Sequence, residues 1–156
     1  MTDRLIITLV QCGQTMGDLA RNADAMLQAR AEAQDCDLIV FPELQLIGYP
    51  PEDLVLKPAL IARAQEQLER LAAATADGGP AMLVGSVFQR EGALYNGIAL
   101  LDGGQIAAVR LKHELPNYGT FDEKRLFASA PLQSPVPFRG VLLGLPLCED
   151  IWFPRV

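Results

Sequence analysis

Glu43, Lys112 and Cys148 carry three different functional groups, and each falls at or just beyond the end of a stretch that reads as a β-strand. A carboxylate, an ammonium and a thiol together suit amide cleavage. The thiolate adds to the carbonyl carbon, the ammonium stands beside the developing oxyanion, and the carboxylate moves the proton. An amide does not expel its nitrogen as an anion, so the same carboxyl, once protonated, must return its proton to the leaving group. In water, transfer from a thiol to a glutamate is uphill by roughly 5 to 6 kcal/mol. A working site narrows that gap by burying the carboxyl and placing a cation near the thiol. His113 offers a rival Cys-His pairing, but it adjoins Lys112 at a strand end, where successive side chains point to opposite faces. If Lys112 faces a site, His113 does not. Position alone leaves the plain readings standing: a small buried hydrophobe for Cys148, solvated loop charges for Glu43 and Lys112.

These residues can meet only if the elements before them share a sheet. Leu5 to Gln11 is a β-branched apolar run suited to a strand buried on both faces, and Leu38 to Phe41 reads as a second buried strand. Between them Asp18 can cap a helix whose apolar positions Leu19, Ala23, Met26 and Leu27 recur at helical spacing. Pro42, Gly48, Pro50 and Pro51 then interrupt regular structure, which leaves Glu43 just past a strand end. A second helix starts at Pro58 and runs toward Asp77. Strands are predicted at Ala81 to Val87, Tyr95 to Leu101 and Gln105 to Lys112, the last two joined through Asp102-Gly103-Gly104 in a hairpin. Leu115 to Pro137 reads as a long loop with one short helix, and Val141 to Cys148 as a sixth strand ending on the thiol, with Pro146 as its weak point.

The 156 residues fit one domain able to bury a sizeable core, and 50% hydrophobic against 21% charged side chains excludes a disordered or low-complexity chain. A net charge of −6 disfavours nucleic-acid or anionic-membrane partners. No apolar run approaches a membrane span and no signal-peptide core opens the chain, so a cytoplasmic protein is expected. Three scattered cysteines and one histidine supply neither a disulfide framework nor a metal site.

Three longer stretches narrow the reading. Residues 41 to 54 run Phe-Pro-Glu-Leu-Gln-Leu-Ile-Gly-Tyr-Pro-Pro-Glu-Asp-Leu, residues 112 to 125 run Lys-His-Glu-Leu-Pro-Asn-Tyr-Gly-Thr-Phe-Asp-Glu-Lys-Arg, and residues 147 to 152 run Leu-Cys-Glu-Asp-Ile-Trp. The order Glu, Lys, Cys within them resembles the nitrilase-like carbon-nitrogen hydrolases. The Tyr-Pro-Pro-Glu-Asp, Leu-Pro-Asn-Tyr and Phe-Asp-Glu-Lys-Arg elements resemble the glutaminase domains of glutamine-dependent NAD⁺ synthetases within that superfamily. Thr120 and Leu126 are mild departures from that pattern.

The resemblance implies an α/β fold, the N-terminal part of a nitrilase-like α-β-β-α sandwich, and hydrolysis of the glutamine side-chain amide through a thioester. Glu43 would be general base and acid, Lys112 the stabiliser of the oxyanion, and Cys148 the nucleophile. The backbone N–H of Glu149 would complete the oxyanion hole, Tyr118 would line the glutamine pocket, and Glu123 would orient the lysine. Plainer readings of the last two are a packed loop aromatic and a salt bridge to Lys124 or Arg125. Trp152 is expected to pack rather than recognise substrate.

Only eight residues follow Cys148, so the resemblance also implies an incomplete catalytic domain: a fragment, a truncated product, or a chain completed by another. A sheet cut off there would expose apolar side chains. No cofactor is expected in this chain. ATP and Mg²⁺ would belong to an absent synthetase domain, which would be the partner beside glutamine, and the full-length parent would be a homo-oligomer. Two rivals remain: an inactive remnant serving as a binding or assembly module, and a stand-alone nitrilase-like amidase for another small amide.

Overall fold

In the computed structural model, which describes residues 4–156, the two cores lie on opposite faces of a five-stranded sheet. Its strands run in spatial and sequence order: β1 (Ile7–Leu9), β2 (Leu38–Val40), β3 (Ala81–Arg90), β4 (Ala93–Asp102) and β5 (Gln105–Leu111). β1, β2 and β3 are parallel, and β3, β4 and β5 antiparallel. The switch follows from the connections. Parallel neighbours need crossovers, supplied by helix α1 (Leu19–Glu32) and helix α2 (Pro58–Ala74), whereas β4 turns into β5 through Gly103 and Gly104 alone. Both glycines have positive φ, 60° and 82°, the backbone that a two-residue hairpin of this hand requires.

Both helices begin as their residues dictate. The Asp18 carboxylate accepts the N–H of Arg21 at the start of α1, and Pro58 occupies the first turn of α2, where its missing N–H costs nothing. Met26 from α1 and Leu68 and Leu71 from α2 are fully buried in the larger core with Ile39, Met82 and Val84 of the sheet. The opposite face carries Leu38, Leu83 and Leu100, covered in part by Val136 and Phe138. Those two residues belong to β6 (Val136–Phe138), which pairs with β7 (Val141–Leu143) in a separate two-stranded ribbon.

Two strand predictions need correction. The first strand is shorter than Leu5 to Gln11 and is not buried on both faces: β1 is the sheet's edge, and Leu9 is 77% exposed. An edge strand lacks a neighbour, and its apolar run alone could not reveal that. The sixth strand stops at Leu143, and Cys148 opens a short 3₁₀ turn (Cys148–Trp152) instead of ending a strand. Gly144 and Pro146 intervene, and a proline has no N–H for a ladder. The long loop before β6 does contain one short helix, α3 (Glu123–Leu126).

Candidate active site

Lys112 is the first residue after β5, and its ammonium lies fully buried between two carboxylates. Nζ donates to Glu43 Oε1 at 2.6 Å and to Glu123 Oε1 and Oε2 at 3.1 and 3.0 Å. Burial alone would pull the ammonium down, but the Glu43 and Glu123 charges and hydrogen bonds outweigh it, and the net direction is upward. The two carboxylates thus favour the charged form of Lys112. Glu123, on α3, answers in kind: burial pushes its carboxyl up despite the lysine. Its Oε1 also accepts the Tyr49 hydroxyl at 3.0 Å, and burial followed by the Glu123 charge pushes that phenol upward. The reading of Glu123 as a partner of Lys112 thus agrees with the geometry, while Arg125 pairs instead with Asp122 and Asp53.

Glu43 stands in a tight turn three residues past β2, and the sheet beneath decides where that turn lies. Leu46 N–H donates to the Gly85 carbonyl on β3 at 3.1 Å. A Cβ on Gly85 would sit 2.5 Å from Leu44 N and 2.8 Å from the Pro42 carbonyl oxygen, so only glycine lets the turn approach. Gln14 braces it from the other side, donating to the Glu43 carbonyl at 3.1 Å and to Gln45 Oε1 at 3.2 Å while accepting Tyr49 N–H at 2.7 Å.

Cys148 is solvent-accessible, and its thiol lies in the field of the same charges. Partial burial, then the Glu43 carboxylate, push its pKa up, and Lys112 opposes them only in part. Of the groups acting on the thiol, Glu43 is the carboxylate placed to take its proton. The backbone at Cys148 has φ of 46°, and Leu44, next to Glu43, has φ of 48°. The left-handed region costs a non-glycine residue about 1 to 2 kcal/mol, so both turns that carry these candidate groups are held under strain by what surrounds them.

Asp150 supplies that hold at the thiol. Its buried carboxylate accepts N–H groups from Leu147, His113 and Glu114 at 3.1, 3.2 and 2.7 Å, tying the Cys148 turn to the segment that follows Lys112. His113 faces away from the site, its ring Nδ1 against the Ala130 carbonyl. The Tyr118 hydroxyl donates to Glu149 Oε2 at 2.9 Å, and that bond is the first cause of the upward shift of the phenol. Tyr118 is exposed and meets Phe121 edge-on, so it is not simply a packed loop aromatic. Trp152 does not pack within this chain either: it is 74% exposed.

The structure thus brings Glu43, Lys112, Cys148 and Glu123 into one cluster, with Tyr118 and Glu149 at its rim. Sequence reasoning passed over Gln14, Tyr49, Asn96 and Asp150. Asn96 left one signal, an amide inside an apolar strand, and Asp150 another, a carboxylate two residues past the candidate nucleophile. Among the described residues no group of three His, Cys, Asp or Glu side chains is arranged to hold a metal ion, and no helix is long and apolar enough to cross a membrane.

A mixed sheet with helices on one face and a buried carboxylate-ammonium pair beside a thiol is an arrangement suited to cleaving a carbon-nitrogen bond. Residues 6–156 match the carbon-nitrogen hydrolase family, and the chain belongs to it as an enzyme domain with the nitrilase-like α/β sandwich fold. The glutamine-dependent NAD(+) synthetase of Rhodobacter capsulatus is 43% identical over 158 aligned positions, covering all of this chain but 28% of that protein. The solved glutamine-dependent NAD+ synthetase of Acinetobacter baumannii, in complex with adenosine diphosphate, superposes with a TM-score of 0.82 at 38% identity, over 95% of this chain and 28% of that one. A variant of the amidase from Nesterenkonia sp. AN1, carrying the acetamide moiety of fluoroacetamide on its active site cysteine, superposes with a TM-score of 0.81 at 26% identity, over 97% of this chain and 58% of that one. The chain corresponds to the nitrilase-like N-terminal domain of the synthetases and spans just over a quarter of their length.

Proposed function

We propose that this domain is a glutaminase, releasing ammonia from the side-chain amide of glutamine for a cytoplasmic synthetase that amidates deamido-NAD⁺. The observation that carries the reading is the position of Lys112 Nζ, 2.6 Å from Glu43 and beside Cys148. A carboxylate, an ammonium and a thiol drawn together in this way suit attack on a single carbonyl, and this supports the reading. The sequence identity to glutamine-dependent NAD(+) synthetases supports glutamine as the amide.

The reaction then runs in two halves. Glu43 takes the Cys148 proton as sulfur bonds to the carboxamide carbon, and the carbonyl π electrons move onto oxygen beside Lys112 and the N–H of Glu149. Collapse of the adduct breaks the C–N bond, and Glu43 returns its proton to the nitrogen, which leaves as ammonia. Water gives a proton to Glu43 and its oxygen attacks the thioester; collapse expels the sulfur, which recovers its proton, and glutamate departs. Glu123 holds Lys112 throughout, and Tyr118 borders the substrate. ATP and Mg²⁺ are assigned to the synthetase domain that completes the assembly.

Ammonia release from glutamine, measured for the protein as it occurs in its source and for Cys148→Ala, tests the reading. The expected loss is at least about 10³-fold. Equal rates in the two proteins, or hydrolysis of simple aliphatic amides with glutamine left intact, would overturn it.

A further inference from the structure

Asn96 lies on β4 opposite Val87 of β3, fully buried in a strand whose other inward residues are apolar or glycine. It touches two of the charged residues of the site, Glu43 and Lys112. Its side-chain Nδ2 donates to Glu43 Oε1 at 2.7 Å, and its backbone carbonyl accepts the Lys112 N–H at 2.9 Å. The amide cannot be turned the other way, because its oxygen would then face a carboxylate oxygen. In this orientation Asn96 Oδ1 finds no partner, so the residue leaves a buried acceptor unpaired in order to present a donor to Glu43.

Glu43 Oε1 therefore receives two donors, the Asn96 amide and the Lys112 ammonium, within 0.1 Å of the same length (2.7 and 2.6 Å). Neither donates a hydrogen bond to Oε2. We infer that Asn96 is a positioning residue that pins Oε1 of Glu43 and so reserves Oε2 as the oxygen that exchanges the proton with Cys148 and the leaving nitrogen. Lys112 alone does not enforce this division, since an ammonium is a point charge with three rotatable donors and either oxygen can turn toward it as the carboxylate rotates. An amide on a fully buried residue whose backbone is held in the ladder has far less freedom to follow. The charged or titratable groups around Glu43 are Lys112, Glu123, Tyr49 and Cys148, and Asn96 is a non-titratable donor to its carboxylate.

The inference rests on the proposed hydrolytic reading for its role in turnover, but the state of the thiol can be read without any substrate. Cys148 alkylation by iodoacetamide, located by mass spectrometry apart from Cys12 and Cys36, is followed from neutral to alkaline pH in wild type and Asn96→Ala, beside ammonia release from glutamine. At neutral pH the variant should alkylate roughly tenfold more slowly, because its thiol has lost an aimed base. At alkaline pH, where the thiol ionises unaided, the two should converge. For glutamine, kcat should fall about 10²-fold with KM nearly unchanged. Alkylation at the wild-type rate at neutral pH, or a deficit of the same size at every pH, would overturn the inference. Should Asn96→Ala not fold, Asn96→Ser, small and polar but too short to reach Glu43, carries the same comparison. A wild type inert to glutamine whose alkylation still shows the neutral-pH deficit would sink the glutaminase reading and leave the role of Asn96 standing.

Discussion

The carboxylate of Asp150 accepts the backbone N–H of Glu114 at 2.7 Å, joining the turn that bears the thiol to the segment that leaves the ammonium. Two further N–H groups, of His113 and Leu147, converge on the same side chain. Asp150→Ala strands these donors and should lower unfolding free energy by about 2 to 4 kcal/mol, with Asp150→Asn losing less because one oxygen remains to accept. Urea denaturation of the two variants measures the difference. Amide hydrolysis should fall in both, since Cys148 keeps its left-handed backbone only while the turn is tied down.

Gly85→Ala should be costly although it adds one methyl group. Its Cβ meets backbone atoms of Leu44 and Pro42, which cannot swing aside as a side chain would. A loss of about 1 to 3 kcal/mol is expected, together with reduced turnover as the Glu43 turn is pushed off the sheet. Gly144→Ala is the control. Nothing lies within 4 Å of that Cβ position, and its stability should stay within about 0.5 kcal/mol of wild type.

Glu123→Gln keeps an acceptor for Tyr49 but removes one of the two charges that hold the Lys112 ammonium up. With a carboxylate gone, burial weighs more heavily and the lysine gives up its proton at lower pH. The alkaline limb of the rate profile should therefore move to lower pH, whereas Glu123→Asp should move it less. A profile unchanged in Glu123→Gln would mean that Glu123 does not support the charge of Lys112.

Asp77 is hydrogen-bonded by the buried Arg30 guanidinium at 2.6 and 2.9 Å, which holds its carboxyl well below the usual carboxylate range. A folded-state value below the unfolded one stabilises the fold above the unfolded pKa, and the stabilisation is lost as pH falls through the folded value. Asp77→Asn should therefore melt below wild type at neutral pH. The gap should shrink as the solution is acidified below about pH 4, where unfolded aspartate gains its proton. A gap independent of pH would assign the effect to shape rather than charge.

Much of the frame was legible in the residues. Helical spacing with Asp18 and Pro58 at its starts marked α1 and α2, and paired glycines marked the β4–β5 hairpin, because caps, proline and positive φ are local demands that a few neighbouring residues satisfy or fail. The alternation of side chains along β5 separated Lys112 from His113 for the same reason. The strand containing Leu9 and the one ending before Gly144 were misjudged because edge position and strand partners are set by distant chain.

By itself the sequence determined the kinds of group available, a thiol, an ammonium at a strand end and a carboxylate in a proline-bounded turn, and through their motifs the family. Only the tertiary structure decided that Glu43 and Lys112, 69 residues apart, share an oxygen with Asn96, that Glu123 grips the lysine, and that Asp150 fastens the thiol's turn. Those partners lie on β4, on α3 and beyond β7. A hydrogen bond between distant segments depends on where the sheet and its crossovers bring them, and no local pattern of residues encodes that distance.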